Sequence, residues 1–243
     1  MRMLSYAKRT TKEILRDPLS LIFGLGFPVM LILILSAIQS NIPVSIFEIE
    51  SLAPGMTIFG LSFMTLFSAQ LISKDRESTF LQRLYASPMT AVDFILGYTL
   101  PILPLAIIQA LVCFLVSIPL GLPVTVGIIR ATLSIIPSAL FFIGMGLLCG
   151  SALSSKQVGG LCGALLTNLA AFLSGIWIDL KLIGGVFEKI ANMLPFVHSV
   201  ELERLAYSGS TEGLAEHLIW VLGYALAAII IAVLLFLRQM KNN

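Results

Sequence analysis

The chain has 243 residues, 58% of them hydrophobic, with 15 Lys+Arg, 13 Asp+Glu and a formal net charge of +2. Its mean hydropathy is +0.99, and its charged share of 12% is half of the roughly one quarter found in soluble domains. A soluble globular protein is excluded, and no nucleic-acid partner is expected.

In chain order, residues 4–18 (LSYAKRTTKEILRDP) set Leu4, Ala7, Ile14 and Leu15 among basic positions. That pattern predicts an interfacial helix over 1–18 leading into the first apolar run, with a disordered basic leader as the alternative. Charge-free runs of about 18 residues or more, the length that crosses hydrocarbon, occur near 19–38, 52–73, 94–120, 131–153, 158–178 and 218–237. They are continuous rather than short and alternating, which predicts helices and not a β-barrel. The fold class expected is all-α integral membrane, one transmembrane domain over 1–243 with six spans. The first run exceeds a signal-peptide core and lacks a small-x-small cleavage site, so it is read as a retained span. Gly24, Gly26 and Pro28 predict a bend in it, and Pro101, Pro104 and Pro137 predict kinks further on. Gly146–Gly150 and Gly159–Gly163 each bracket three residues, a spacing that lets helix backbones approach closely. Cys113, Cys149 and Cys162 all lie within spans without a CxxC, so neither a disulfide nor a metal is expected of them.

Orientation follows from the basic residues. Arg2, Lys8, Arg9, Lys12 and Arg16 precede the first span, Lys74, Arg76 and Arg83 follow the second, Lys156 lies between the fourth and fifth, and Arg238 and Lys241 close the chain. They outnumber Arg130, Lys181, Lys189 and Arg204 on the other side, which places both termini in the cytoplasm of a plasma membrane.

The stretch SKDRESTFLQRLYASPM, residues 73–89, is the most charged part of the chain's interior. On a helical wheel Phe80, Leu81, Leu84 and Tyr85 form a stripe opposite Asp75, Arg76, Thr79, Gln82 and Arg83. A separate amphipathic helix is expected over 75–87, with Asp75 and Glu77 in its first turn and Pro88 ending it. Thr90 and Asp93 then supply a capping box for the third span. Two readings stay open: a solvated loop whose charges fix topology, or a helix that docks into a partner's groove. Beyond the fifth span, Ile183, Val186, Phe187, Ile190 and Leu194 recur at helical spacing in the long loop 179–217, which predicts an amphipathic helix in the outer leaflet. His198 and His217 are read there as interfacial polar residues.

No Asp, Glu, Lys, Arg or His falls deep within the six runs, so the residues that couple ion gradients or perform intramembrane catalysis are missing. No catalytic or metal-binding residue is assigned. There is no GxxxxGK[ST] phosphate loop either, and no cofactor is expected in this chain. Uphill transport would need energy from another polypeptide.

These residues carry a resemblance. Arg76-Glu77-Ser78-Thr79-Phe80-Leu81-Gln82-Arg83-Leu84 followed by Ser87-Pro88 resembles the RE-x-GT-x-x-RL segment between spans two and three of type-2 ATP-binding cassette (ABC) exporter permeases, one residue tighter and with Ser78 where that family has Gly. Pro54-Gly55, Leu96-Gly97, Ser174-Gly175-Ile176, Leu194-Pro195-Phe196 and Arg204 recur in the family's order over nearly the full length, although Trp177-Ile178-Asp179 stands where the family often has a Pro. The resemblance implies a permease subunit that pairs with a second permease, identical or paralogous, in the lipid bilayer. It also implies two cytoplasmic ABC ATPase subunits, which would hold ATP and Mg. It makes 75–87 a coupling helix, with Arg76, Glu77, Phe80, Arg83 and Leu84 as the ATPase-coupling residues. Phe187, Leu194, Pro195 and Phe196 become an external gate.

Along spans two and five, Phe63, Met64, Phe67, Asn168, Phe172 and Trp177 are candidates for a substrate pathway, and equally for packing; their apolar character suits an amphiphilic drug, peptide, lipid or lipid-linked glycan. The function expected is export of such a substrate. A passive channel or lipid scramblase without an ATPase is the alternative, and a lipid-modifying membrane enzyme is a weaker third.

Overall fold

The computed structural model describes residues 2–78 and 90–242. The described residues form helices and connecting loops, with no strand. Helix α1 is Arg2–Leu15. Helix α2 covers 18–39, α3 is Ile49–Glu77, α4 is Ala91–Ser117 and α5 is Val126–Ala152. Helix α6 covers 155–172. Short helices α7 (Leu180–Ile183), α8 (Gly185–Met193) and α9 (Pro195–Ser208) precede α10 (Leu214–Asn242).

Five of these stretches are long and apolar enough to cross a membrane: Ile22–Gln39, Ile49–Glu77, Ala91–Leu120, Val126–Ala152 and Leu214–Gln239. The run expected at 158–178 differs. It is helical only over 155–172, opens at the polar Ser155, Lys156 and Gln157, and widens to π geometry over Gly159–Leu166. It nevertheless lies along α3 for most of its length, from Ser155, whose hydroxyl meets Ser73 and Glu77, to Ile176 just beyond it, which packs on Gly55.

The apolar patterning explains why α3 sits at the centre. Its buried side includes Gly55, Gly60, Ser62, Ser68 and Ala69, small enough for other helices to approach, and α3 and α5 make the most extensive contact in the bundle. They run parallel: Thr65 donates to the Phe142 carbonyl at 2.7 Å, a Cβ on Gly146 would collide with Ser68, and one on Gly150 would stand 2.7 Å from the Ala69 carbonyl oxygen. The Gly146–Gly150 spacing therefore serves contact within this chain. Gly159 and Gly160 face open space. α4 and α6 run antiparallel to α3, so that α1, the last turns of α3, α5 and α10, and the first turns of α4 and α6 share one end of the bundle.

Near Gly24, Gly26 and Pro28, where a bend is expected, the helix has a π turn over Ile22–Gly26, with Phe27 between it and Pro28, whose ring supplies no N–H. Pro101, Pro104 and Pro137 lie inside continuous helices. The apolar face of α1 is also shifted: Tyr6, Ala7, Thr10 and Ile14 are buried, whereas Leu4 and Leu15 are exposed. In the loop 179–217, Gly184 and Gly185 adopt positive φ and divide the expected single helix into α7 and α8.

Candidate functional site

The last turn of α3 gathers four other elements around three consecutive charged residues. Asp75, only 5% exposed, accepts hydrogen bonds from Tyr98 Oη of α4 (2.8 Å), Tyr6 Oη of α1 (3.3 Å) and both terminal nitrogens of Arg9 (3.0 and 2.7 Å). Two hydroxyl donors and a cation offset the cost of removing a carboxylate from water. Burial and the Asp75 charge raise the Tyr6 phenol above its ordinary value, so it stays a donor. Burial opposes the Arg9 charge, yet the bonds and charge of Asp75 outweigh it and hold the guanidinium above its usual range. Gly97 makes room for this arrangement, since a Cβ there would strike the Tyr6 ring, and the Tyr6 and Tyr98 rings meet edge-on at 5.2 Å.

The next two residues point elsewhere. Arg76 donates to the Ser151 and Leu153 carbonyls at the end of α5, where backbone acceptors lack helical partners and a cation complements the negative end of the helix dipole. Gln239 of α10 donates to the same Ser151 carbonyl at 2.6 Å. Glu77 accepts from the Ser155 backbone N–H and hydroxyl, both at 2.8 Å, at the start of α6. A displacement of this one turn would pull on α1, α4, α5 and α6 together. Asp75 and Glu77 thus close α3 instead of opening a separate helix. The polypeptide leaves the helix at Ser78, which is extended (φ −85°, ψ 159°), and the charges expected to start a new helix are paired to neighbours instead. Thr90 and Asp93 form the capping box that opens α4. Of the coupling residues expected from the sequence, Arg76 and Glu77 sit in this cluster; Phe80, Arg83 and Leu84 lie outside the described residues.

The opposite end is built around a cavity of about 910 Å³ between the start of α3, residues 174–182, α8 and α9. Arg204 braces its wall, bonding Glu201 at 2.8 Å and reaching the Ser51 and Gly175 carbonyls at 3.4 Å. His198 and His217 face each other across 2.8 Å between their Nδ1 atoms, with the His198 ring stacked on Trp220. Among the residues expected at an external gate, Phe196 is buried against Phe141 and Phe142, Pro195 opens α9, and Phe187 and Leu194 are half-buried against the core.

The structure divides the expected substrate-pathway residues. Phe63, Met64 and Phe67 are buried inside this chain, Phe63 against Phe23 and Phe27, and Met64 and Phe67 beside Gly24. Asn168 and Phe172 (55% exposed) lie on the open face of α6. Trp177 lines the cavity and packs edge-on against Phe59 at 6.1 Å. Sequence reading missed Asp75 as a buried hub, the Arg9 partnership and the histidine pair, since all join positions far apart in the chain. It missed Glu203 as well, which is wholly buried in α9.

A comparison with curated proteins gives no match. The sequence model of the ABC-2 type transporter family matches residues 2–207, most of the chain and both ends of the bundle just described; the protein belongs to this family of multi-pass ABC transporter membrane subunits.

Proposed function

We propose that this chain is the permease subunit of an ATP-driven exporter and that the last turn of α3 is where force enters it. Family membership supports a transport subunit that works with ABC ATPases. The observation that carries the finer reading is the placement of Asp75, Arg76 and Glu77: three adjacent side chains tie α1, α5 and α6 to α3 directly before the segment 79–89. An ATPase docking on that segment would move α3 and, with it, the helices clamped to its end. The termini and this end face the cytoplasm, α6 makes a sixth crossing, and the cavity at the far end opens outward. A second permease, the same or a paralogue, completes the pathway, and the cargo is amphiphilic.

The test is reconstitution. The chain with its ATPase in proteoliposomes should give ATP-dependent flux of an amphiphilic dye, and Arg76→Gln with Glu77→Gln should lower flux several-fold while ATP hydrolysis continues. Sustained flux by the chain alone, without ATP, would identify a passive channel or scramblase instead.

A further inference from the structure

Glu203 is 0% exposed, in α9, which is outside the five long apolar helices and packs against α3, α5 and α10. Its Oε2 accepts a hydrogen bond from the Ser134 hydroxyl of α5 at 2.7 Å, and its Oε1 has no hydrogen-bond partner. Among the described residues no cation compensates it. On α5, Arg130 is one turn from Ser134 and reaches the Tyr207 carbonyl at 3.4 Å. On α9, the Arg204 guanidinium is taken by Glu201 and by main-chain carbonyls, and His198 by His217 and the Asn192 carbonyl. On α3 the facing group is Thr57, whose hydroxyl donates to the Pro54 carbonyl, and the nearest charge along that helix is Glu50, two turns earlier. α10 carries Glu216 and His217 only at its start, and α8 carries Glu188 and Lys189.

A buried carboxylate with a single hydroxyl donor and no cation is far costlier than a buried carboxylic acid. With a proton on Oε1 the group becomes a donor, and the Thr57 hydroxyl, having given its own hydrogen to Pro54, keeps lone pairs to accept it. The acid form then bridges α5 and α3 from α9: Ser134 to Oε2, and Oε1–H toward Thr57.

We propose that Glu203 is a proton-binding site whose protonated form docks α9 onto α3 and α5, so that losing the proton loosens the cavity end of the bundle. The direction agrees with burial, which pushes the carboxyl up to about 8 against the opposing hydrogen bond of Ser134. The sign follows from linkage. The folded state holds a proton that the unfolded chain releases near 4.5, so the contribution is complete below that value and is lost as pH rises toward about 8. Either membrane orientation leaves the inference intact. It identifies a proton as a ligand in a protein whose apolar runs contain no ionisable group at depth.

The experiment uses the full chain in lipid nanodiscs, alone and with any ATPase that co-purifies. Infrared difference spectra recorded from about pH 6 to about pH 10 should show a protonated-carboxyl carbonyl band in the wild type that disappears on alkalinisation and is missing from Glu203→Gln. Hydrogen exchange in α9, referenced to Glu203→Gln at each pH, should rise over the same interval in the wild type alone. Ser134→Ala removes the hydrogen bond that favours the anion, so it should move the midpoint of band loss upward and serves as the second variant if Glu203→Gln folds poorly. Glu201→Gln should leave the band in place. Equal α9 exchange in wild type and Glu203→Gln throughout, or a band insensitive to both Glu203→Gln and Ser134→Ala, would overturn the proposal.

Discussion

Asp75 and Glu203 are both buried carboxyl groups, one at each end of the same bundle, and their surroundings treat them in opposite ways. Asp75 has an arginine and two tyrosine hydroxyls; Glu203 has one serine hydroxyl and an oxygen with no partner. The first environment ties one carboxyl to two helices and so fixes the relative positions of α1, α3 and α4. The second leaves the group's charge dependent on pH, and the packing of α9 with it. If force enters at the Asp75 end, as proposed above, this asymmetry would help, because a stiff input transmits displacement and a weakly held output can yield to it.

The largest effect expected is at the stiff end. Asp75→Ala leaves the buried Tyr98 hydroxyl without its acceptor and the half-buried Arg9 guanidinium with Glu13 as its remaining carboxylate; removing one partner of a buried ion pair costs about 3–5 kcal/mol, and the Glu13 contact keeps the loss near the lower figure. A fall in the thermal midpoint of the purified protein by several degrees, with α1 amides losing protection, is the expected result. Asp75→Asn should recover part of the loss, because an amide oxygen still accepts from Tyr98. If Asp75→Ala proves no more damaging than Glu203→Gln at neutral pH, the contrast between the two ends fails. Arg76→Gln comes next. It uncovers the Leu153 carbonyl while Gln239 still serves Ser151, a cost of about 1–3 kcal/mol for an acceptor left unsatisfied. Its effect on transport should exceed its effect on stability, measured as flux per ATP hydrolysed beside the unfolding midpoint.

How much of this was legible in the sequence depends on range. Helical class and the approximate limits of five spans follow from local hydropathy, and the Thr90–Asp93 cap follows from a spacing of three residues, so those were readable. The π geometry in α6 was not, since the same Gly-rich residues fit an ordinary helix equally well. Asp75 looked like the first turn of a new helix because its partners Arg9 and Tyr6 lie more than sixty positions away. Phe63 and Phe67 looked equally like a pathway and like a core, and only the rings and glycine of α2 place them inside this chain. Glu203 could not be found from hydropathy, for it sits in a mixed polar helix whose neighbours Glu201 and Arg204 do pair with each other.

The smallest expected effect concerns the histidine pair and sharpens the contrast at the weaker end. The Asn192 carbonyl can only accept, so His198 Nε2 carries the hydrogen at 2.9 Å, and neutral His198 Nδ1 must then accept from His217 Nδ1–H. Burial first, and His217 as well, hold His198 below its ordinary value of 6.5, and the Asn192 carbonyl opposes them. The folded protein therefore takes up this proton later than the unfolded chain as pH falls, so the stabilisation is present above about pH 6.5 and is lost below it. Added there, a proton on His198 Nδ1 faces the hydrogen of His217, and the contact survives only if His217 changes tautomer. His198→Phe keeps the stack on Trp220 and removes both hydrogen bonds, at a cost of about 1 kcal/mol. It should flatten the acid limb of a stability-versus-pH curve while leaving the alkaline limb, which belongs to Glu203. An acid limb unchanged in His198→Phe would show that the pair holds α9 to α10 by packing alone, and only the carboxyl would then respond to pH.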